Sequence, residues 1–301
     1  MGDFTKKVGS FITLINPNLN IKLRYFLTHK RLFPAKNPQT FVEKLLWLRM
    51  NYYNNSPLVI QCADKVAVRD YVEKYGYGHY LNDIHGVYDR VDDIDWDKLP
   101  QRFAMKWNFG ASYNIICSDK SALDIEKTKE IMKKWGKTKY YLPYAEMQYK
   151  YCKKKILVEK YLDTDQGFLP YDYKLYCFNG KCRAILFIAD RDNTEEKKGA
   201  FFSPAWDYLG LPGYRYKEFE TLPQKPESLE KMIECAEVLS KDIPFVRVDF
   251  FEYNKEPIFG EMTFTPASGL KPAQIDLDGK DMGEYIDLSE ESLKKVSDYT
   301  A

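Results

Sequence analysis

The segment FVRVDFFEYNKEPIFGEMTFTP, Phe245 to Pro266, limits the possible folds of this chain more than any other. In its first half Val246, Val248 and Phe250 fall on one face of a strand, and Arg247 and Asp249 on the other. The second half repeats the pattern, with Ile258, Gly260, Met262 and Phe264 set against Glu261, Thr263 and Thr265. The intervening EYNKEP is polar and carries Asn and Pro, which predicts a hairpin turn. With that turn centred on Lys255, Asp249 opposes Glu261 and Arg247 opposes Thr263. Facing carboxylates repel unless positive charge lies between them. Two arrangements meet that need. One is a salt bridge to Arg247 on a solvated sheet face. The other is a divalent cation: hard oxygen ligands suit Mg²⁺, which takes one or two carboxylates and completes its shell with substrate phosphates.

Composition narrows the function classes. Lys plus Arg (45) and Asp plus Glu (44) nearly cancel, leaving +1, so the basic excess of a nucleic-acid binder is missing. No apolar run reaches the roughly 18 residues of a membrane span. The N-terminal apolar run is broken by Asn and Pro and leads to no small-residue cleavage site, so no signal peptide is expected. Lys6 stands where myristoylation of Gly2 would need Ser or Thr. The six cysteines form no CxxC pair and no disulfide spacing, so the expectation is reduced thiols and a cytoplasmic protein. With only His29, His79 and His85, a His-rich zinc site is not expected, and His79 in YGYGHY reads as a loop residue. The Tyr and Phe surplus is expected in the core and in cleft walls.

Residues 1–100 read as a mostly helical region. TFVEKLLWLRMNYY (40–53) carries Phe41, Leu45, Leu48 and Tyr52 at helical spacing, and DKVAVRDYVEKYG (64–76) repeats the pattern with Val66, Val68, Tyr71 and Val72 before a Gly stop. Acidic RVDDIDWDKLP (90–100) reads as a linker, which sets a domain boundary there. Beyond it, strands are expected at 102–107, 113–118 and 153–162, and a helix at 121–136 with Ser at its start and Gly at its end. DYKLYCFNGKCRAILFIAD is a hairpin about Asn179-Gly180, and 225–243 is an amphipathic helix. Strand pairs separated by helices, without regular βαβ alternation, predict α+β layers.

Four features could carry chemistry. In FAMKWNFGASYNII, Lys106 ends a strand, and the backbone N–H groups of Gly110, Ala111 and Ser112 could cradle phosphates; a plain hairpin turn is the alternative. In ILVEKYL, a strand ending at Glu159 runs through Lys160, Tyr161 and Leu162, whose backbone could hold an adenine; Glu159 as a salt-bridge partner is the alternative. In DYKLYCFNG, Asp172 and Lys174 share a strand face, as a surface pair would. The RxD…ExTxTP hairpin is the fourth.

In this order the four resemble the ATP-grasp superfamily: a strand Lys with a Gly-rich loop, a hinge strand with Glu, a Lys-bearing strand, then RxD and ExN strands. FVEKLLWLR, DKVAVRDYV, DYKLYCFNG, PFVRVDFF and FGEMTFTPASG look closer still to its TupA-like branch, which is associated with bacterial cell-surface polysaccharide and teichuronopeptide synthesis. The resemblance spans about residues 30–285. It implies an ATP-grasp fold of two α+β subdomains gripping ATP (101–162, and 163–301 with the metal site), preceded by the helical 1–100. It also implies ATP and Mg²⁺ as cofactors. Lys106, Gly110, Ala111, Ser112, Glu159, Lys160, Tyr161, Leu162 and Lys174 would bind nucleotide, and Arg247 and Lys174 would serve catalysis. Asp249, Glu261 and Thr263 would hold metal, although Thr263 stands where most ATP-grasp enzymes carry Asn. Arg191, Ser268 and Lys271 are candidate substrate anchors, each with solvated surface as the alternative. The implied reaction joins a carboxylate to an amine through an acyl phosphate. Its partners would be a small-molecule or a nucleotide- or lipid-linked sugar acid and an amine or amino acid, and peripheral association with polysaccharide-assembly machinery would be open to it. A sugar-directed kinase or transferase on the same ATP face is the rival class.

Overall fold

A computed structural model of the chain describes residues 3–164, 169–190, 197–213 and 216–297. Helices α1 (Asp3–Ile15), α2 (Pro17–His29), α3 (Phe41–Leu48), α4 (Pro57–Ala63) and α5 (Val68–Lys74) precede the first strand. Strands β1 (Ile84–Tyr88), β2 (Phe103–Trp107), β3 (Asn114–Cys117) and β4 (Ile156–Lys160) form an antiparallel sheet ordered β1-β4-β2-β3, with helices α6 (Ile125–Gly136) and α7 (Tyr141–Tyr144) between β3 and β4. Strands β5 (Asp172–Phe178), β6 (Lys181–Ala189), β7 (Lys198–Phe202), β8 (Tyr208–Gly210), β9 (Val246–Tyr253) and β10 (Glu256–Thr263) form a second antiparallel sheet, ordered β10-β9-β5-β6-β7-β8. Helix α8 (Leu229–Leu239) packs on the second sheet, and α9 (Glu290–Ser297) closes the described chain.

The large sheet's core face carries Val246, Val248, Phe250, Leu175 and Ile185, all buried with Met232, Ala236 and Leu239 of α8. Helices α3 to α5 join this same core through Phe41, Leu45, Leu58, Val59 and Val72. Thr40 and Glu43 cap α3 reciprocally, as a capping box does. After Leu48 the winding widens to a π turn over Arg49–Tyr53. The extra residue per turn rotates the face, so Tyr53, and not the expected Tyr52, enters the core. Its hydroxyl donates to the Phe245 carbonyl at 2.9 Å and accepts from the Phe245 amide at 3.1 Å.

The small sheet differs from the sequence reading in two respects. The 90–100 segment is not a linker. Val91, Ile94, Trp96 and Leu99 are buried against Phe103, Met105 and Met132, and its acidic residues lie between these anchors. Helix α6 also starts later than expected, capped by Asp124 rather than Ser121: the Asp124 carboxylate accepts from the Lys127 amide. Gly136 lies inside this helix and acts by its size. A Cβ there would come within 2.6 Å of the Trp107 ring, whose Nε1 donates to the Met132 carbonyl at 3.0 Å. Gly→Ala inside a helix ordinarily stabilises by about 1 kcal/mol. Gly136→Ala should instead destabilise by roughly 1–3 kcal/mol through overpacking, read as a lower denaturant midpoint. An unchanged or raised midpoint would show that Trp107 moves freely.

The β9–β10 register is the expected one, reached by another route. The turn is a two-residue loop with both Asn254 and Lys255 left-handed (φ 53° and 65°), which alone would pair Asp249 with residue 260. A bulge between Phe259 and Glu261 shifts the ladder by one and restores Asp249 opposite Glu261 and Arg247 opposite Thr263. Before the bulge the alternation inverts. Phe259 joins Met262 in the core, and Ile258, expected on the core side, faces the cleft. Gly260 sits where a Cβ would lie 3.0 Å from the Asp249 carbonyl oxygen.

Candidate functional site

A cleft of about 330 Å³ opens between the two sheets. The small sheet supplies Lys106 from β2, Glu159 and Lys160 from β4, the loop Gly110, Ala111 and Ser112, and the chain after β4 at Tyr161 and Leu162. The large sheet supplies Asp172 and Lys174 from β5, Asp249 from β9, and Ile258 and Glu261 from β10. Alternation on three adjacent strands puts Lys174, Asp249 and Glu261 on one face: Lys174 pairs with Asp249 in the β5–β9 ladder, and Asp249 with Glu261 in the next.

Charges in the cleft nearly cancel and are tightly linked. Lys106 Nζ is 2.6 Å from Glu159 Oε2 on the neighbouring strand. Lys174 Nζ lies 2.7 Å from Asp172 and 2.6 Å from Asp249. The Arg247 guanidinium donates to both Asp249 oxygens at 2.6 Å and to Thr263 Oγ1 at 3.1 Å, and the Thr263 hydroxyl donates to Glu261 at 3.2 Å. Asp172 and Lys174, read from sequence as a surface pair, are thus largely buried.

Asp249 and Glu261 titrate in opposite directions. Burial pushes the Asp249 carboxyl up, against the pull of Arg247 and Lys174. Burial acts the same way on Glu261, but Lys65, Arg247, Lys174 and Lys106 outweigh it and bring it down to about 2. A depressed carboxyl contributes stability that is present above its ordinary value of 4.5 and is lost as pH falls toward 2. The Glu261 side chain keeps 36% exposure toward the cleft, so solvent screening reduces that contribution. Any melting-temperature deficit of Glu261→Gln at neutral pH should therefore shrink as the pH is lowered through this window. A deficit constant with pH would show that the surrounding cations do not hold the carboxylate.

Several site residues were not found in the sequence. Lys65, just after α4, lies 3.4 Å from Glu261 and donates to the Gly110 carbonyl at 2.7 Å. Fully buried Asn108 holds the loop base by donating to Asp64 and the Lys153 carbonyl and accepting from the Lys155 amide. Gly110 (φ 69°) and Ser112 (φ 65°) turn the loop, and the Ala111 amide bonds the Tyr140 hydroxyl. The Asn82 side chain holds the Lys160 carbonyl at 2.9 Å. No periodic signal marks these residues, because their partners are distant in sequence.

Of the expected substrate anchors, Arg191 lies outside the described residues. Ser268 does not line the cleft. Its hydroxyl donates to Glu146 at 3.2 Å, and its carbonyl accepts from Arg49 at 2.7 Å. Burial raises Glu146 and lowers Arg49 to about 10, although each charge favours the other. This buried pair fixes a turn in which Ala267 and Ser268 are both left-handed. Lys271 lines a second cavity of about 560 Å³, together with His29, Tyr176, Tyr216 and Arg247. Among the described residues, no carboxylate lines that cavity. Arg247 thus lines the second cavity while bonding Asp249, which lines the cleft.

Two antiparallel sheets closing on a cleft with lysines and carboxylates from both sides are the arrangement of the ATP-grasp class. The family model described as "TupA-like ATPgrasp" matches residues 43–287, and the chain belongs to that family. No curated protein matches the chain. Among solved structures, D-alanine–D-alanine ligase from Bacillus anthracis complexed with ATP is similar at 15% identity and TM-score 0.40, covering 68% of this chain and 56% of that one. The ATP-grasp ligase PsnB with its minimal precursor is similar at 10% identity and TM-score 0.43, covering 78% and 62%. D-cycloserine synthetase DcsG is similar at 12% identity and TM-score 0.40, covering 80% and 70%. The chain thus spans less than two thirds of the first two proteins.

Proposed function

We propose that the protein is an ATP- and Mg²⁺-dependent ligase that joins a carboxylate to an amine, with ADP and phosphate as co-products. The observation that carries this reading is the meeting of Lys106, Lys174, Asp249 and Glu261 in one cleft between the sheets of an ATP-grasp protein. A carboxylate is a poor acyl donor because oxide would have to leave, and ATP supplies the phosphoryl group that makes a leaving group. Lys106 and Lys174 neutralise phosphate charge, and the backbone at Tyr161 and Leu162 holds the base. The hard oxygens of Asp249 and Glu261 fit Mg²⁺. Among the described residues no group of three acidic, His or Cys side chains could hold an ion alone, so the ion's other ligands would come from phosphate. Thr263, bonded to both Arg247 and Glu261, sets the position of that carboxylate.

The acid substrate enters the second cavity, where Lys271 and Arg247 attract its charge. Arg247 then faces the negative oxygen that develops as the amine attacks the acyl carbon. The gripping unit so defined draws Lys65 and β1 from ahead of residue 101. The substrate is an acid of cell-surface polysaccharide assembly, a sugar acid or amino acid. The test is ATP-dependent hydroxamate formation from hydroxylamine across uronic-acid sugars and amino acids, with ADP release followed in parallel. Hydroxamate establishes an activated carboxylate. Phosphate transferred to a sugar hydroxyl, with no hydroxamate from any acid, would establish the kinase instead.

No thiol takes part. All six cysteines are buried, and burial raises the thiols of Cys62, Cys152 and Cys235. Alkylation under native conditions should therefore leave turnover largely intact. Inactivation that ATP prevents at a single Cys would indicate a covalent route.

A further inference from the structure

Helices α1 and α2 form a hairpin that leaves a row of apolar side chains exposed. Polar side chains share its inward face with apolar ones: Thr13, Asn20 and Arg24 are buried, and so are Ile21 and Tyr25. Asn20 Nδ2 donates to Thr13 Oγ1 at 2.7 Å and to the Pro143 carbonyl at 3.1 Å, while Thr13 donates to the Leu142 carbonyl at 2.8 Å. Gly9 permits this close seating, since a Cβ there would lie 2.6 Å from the Pro143 oxygen. The hairpin is thus fastened to α7 by polar bonds, and α2 also packs Ile21 and Tyr25 against Val42, Leu46 and Ala145.

Its apolar stripe points outward. Phe4, Val8, Phe11 and Ile15 recur along one face of α1, and Leu19, Leu23 and Phe26 along one face of α2. Their exposures run from 36% at Leu23 to 78% at Phe4, a patch that soluble monomers rarely leave without a binding role. Cations interleave with it. Residues 1–37 contain seven Lys and Arg and one acid, Asp3; Arg24 is buried and Arg31 pairs with Glu43, which leaves five exposed lysines. Exposed Lys7 lies one turn from Phe4 and Phe11, and exposed Lys22 one turn from Leu19 and Phe26.

We propose that the α1–α2 hairpin docks the protein on an anionic lipid surface. The apolar stripe enters the boundary between headgroups and acyl chains, and the lysines meet lipid phosphates. A second copy is the poorer occupant, because two identical basic faces repel. The docking does not depend on the activity proposed above, although His29, the last residue of α2, also lines the second cavity.

The test is sedimentation of the full chain with phosphatidylcholine vesicles, with and without about 30 mol% phosphatidylglycerol. Binding is expected to the anionic vesicles alone, and to weaken as salt rises from about 0.1 to about 0.5 M. A Phe11→Ser/Phe26→Ser variant should lower the bound fraction about tenfold with an unchanged melting temperature. If that variant melts earlier, Lys7→Glu/Lys22→Glu, at two exposed positions, decides the matter by the same loss of binding. Wild-type protein left in the supernatant with anionic vesicles would overturn the proposal, as would undiminished binding by the lysine variant. A dimer that Phe11→Ser/Phe26→Ser dissolves would assign the face to a second copy.

Discussion

Glu261→Gln is expected to leave a folded protein whose ATP-dependent turnover falls by about a hundredfold or more, a loss of roughly 3 kcal/mol or more in transition-state stabilisation. The substitution keeps volume and the oxygen that accepts from Thr263. What it removes is one negative charge, from a carboxylate that Lys65 and Arg247 approach only to 3.4 and 3.5 Å. Were Glu261 merely an exposed ion-pair partner, its loss would cost about 0–1 kcal/mol of stability and little activity. The two accounts therefore differ most in rate. ADP release by the variant at saturating acid, amine and nucleotide measures it, and normal turnover would remove Glu261 from the chemistry.

Arg247→Met should damage stability as well as activity. It leaves Asp249 buried with Lys174 as its remaining cationic partner, and breaking a buried pair in this way costs about 3–5 kcal/mol. The pH dependence is diagnostic. Burial already raises the Asp249 carboxyl, and losing Arg247 raises it further. A carboxyl raised above its unfolded value binds a proton more readily in the folded state, so the folded state loses ground as pH rises through the folded value. The variant's deficit should thus be largest near neutral pH and smaller in mild acid, read from denaturant midpoints at both. Equal deficits, or one below about 1 kcal/mol, would mean that Lys174 alone satisfies Asp249.

What the sequence revealed was what local periodicity encodes. Val246, Val248 and Phe250 against Arg247 and Asp249 marked β9, and Asn179-Gly180 marked the β5–β6 hairpin, because a period of two and left-handed turn residues are local properties. The Asp249–Glu261 pairing came out right although the bulge at Gly260 was not visible. An assumed turn centre on Lys255 happened to equal the true centre plus one bulged residue, and the cost was the misplaced face of Ile258. The acidic look of 90–100 hid four apolar anchors, spaced too irregularly for either periodicity. Lys65, Asn108 and the Arg49–Glu146 pair were illegible for a different reason. Each acts through a partner that folding alone brings near, and a lone Lys or Asn carries no trace of it. The exposed apolar row of the α1–α2 hairpin was equally silent, since an amphipathic pattern does not say which face meets the protein.

The most direct measurement is diffraction from crystals of the protein with a non-hydrolysable ATP analogue and Mn²⁺ in place of Mg²⁺, whose anomalous signal locates the ion. The account predicts an anomalous peak in contact with Glu261 and Asp249, phosphates between Lys106 and Lys174, and the adenine against Tyr161 and Leu162. An ion away from both carboxylates, or a nucleotide outside the cleft between the sheets, would contradict it.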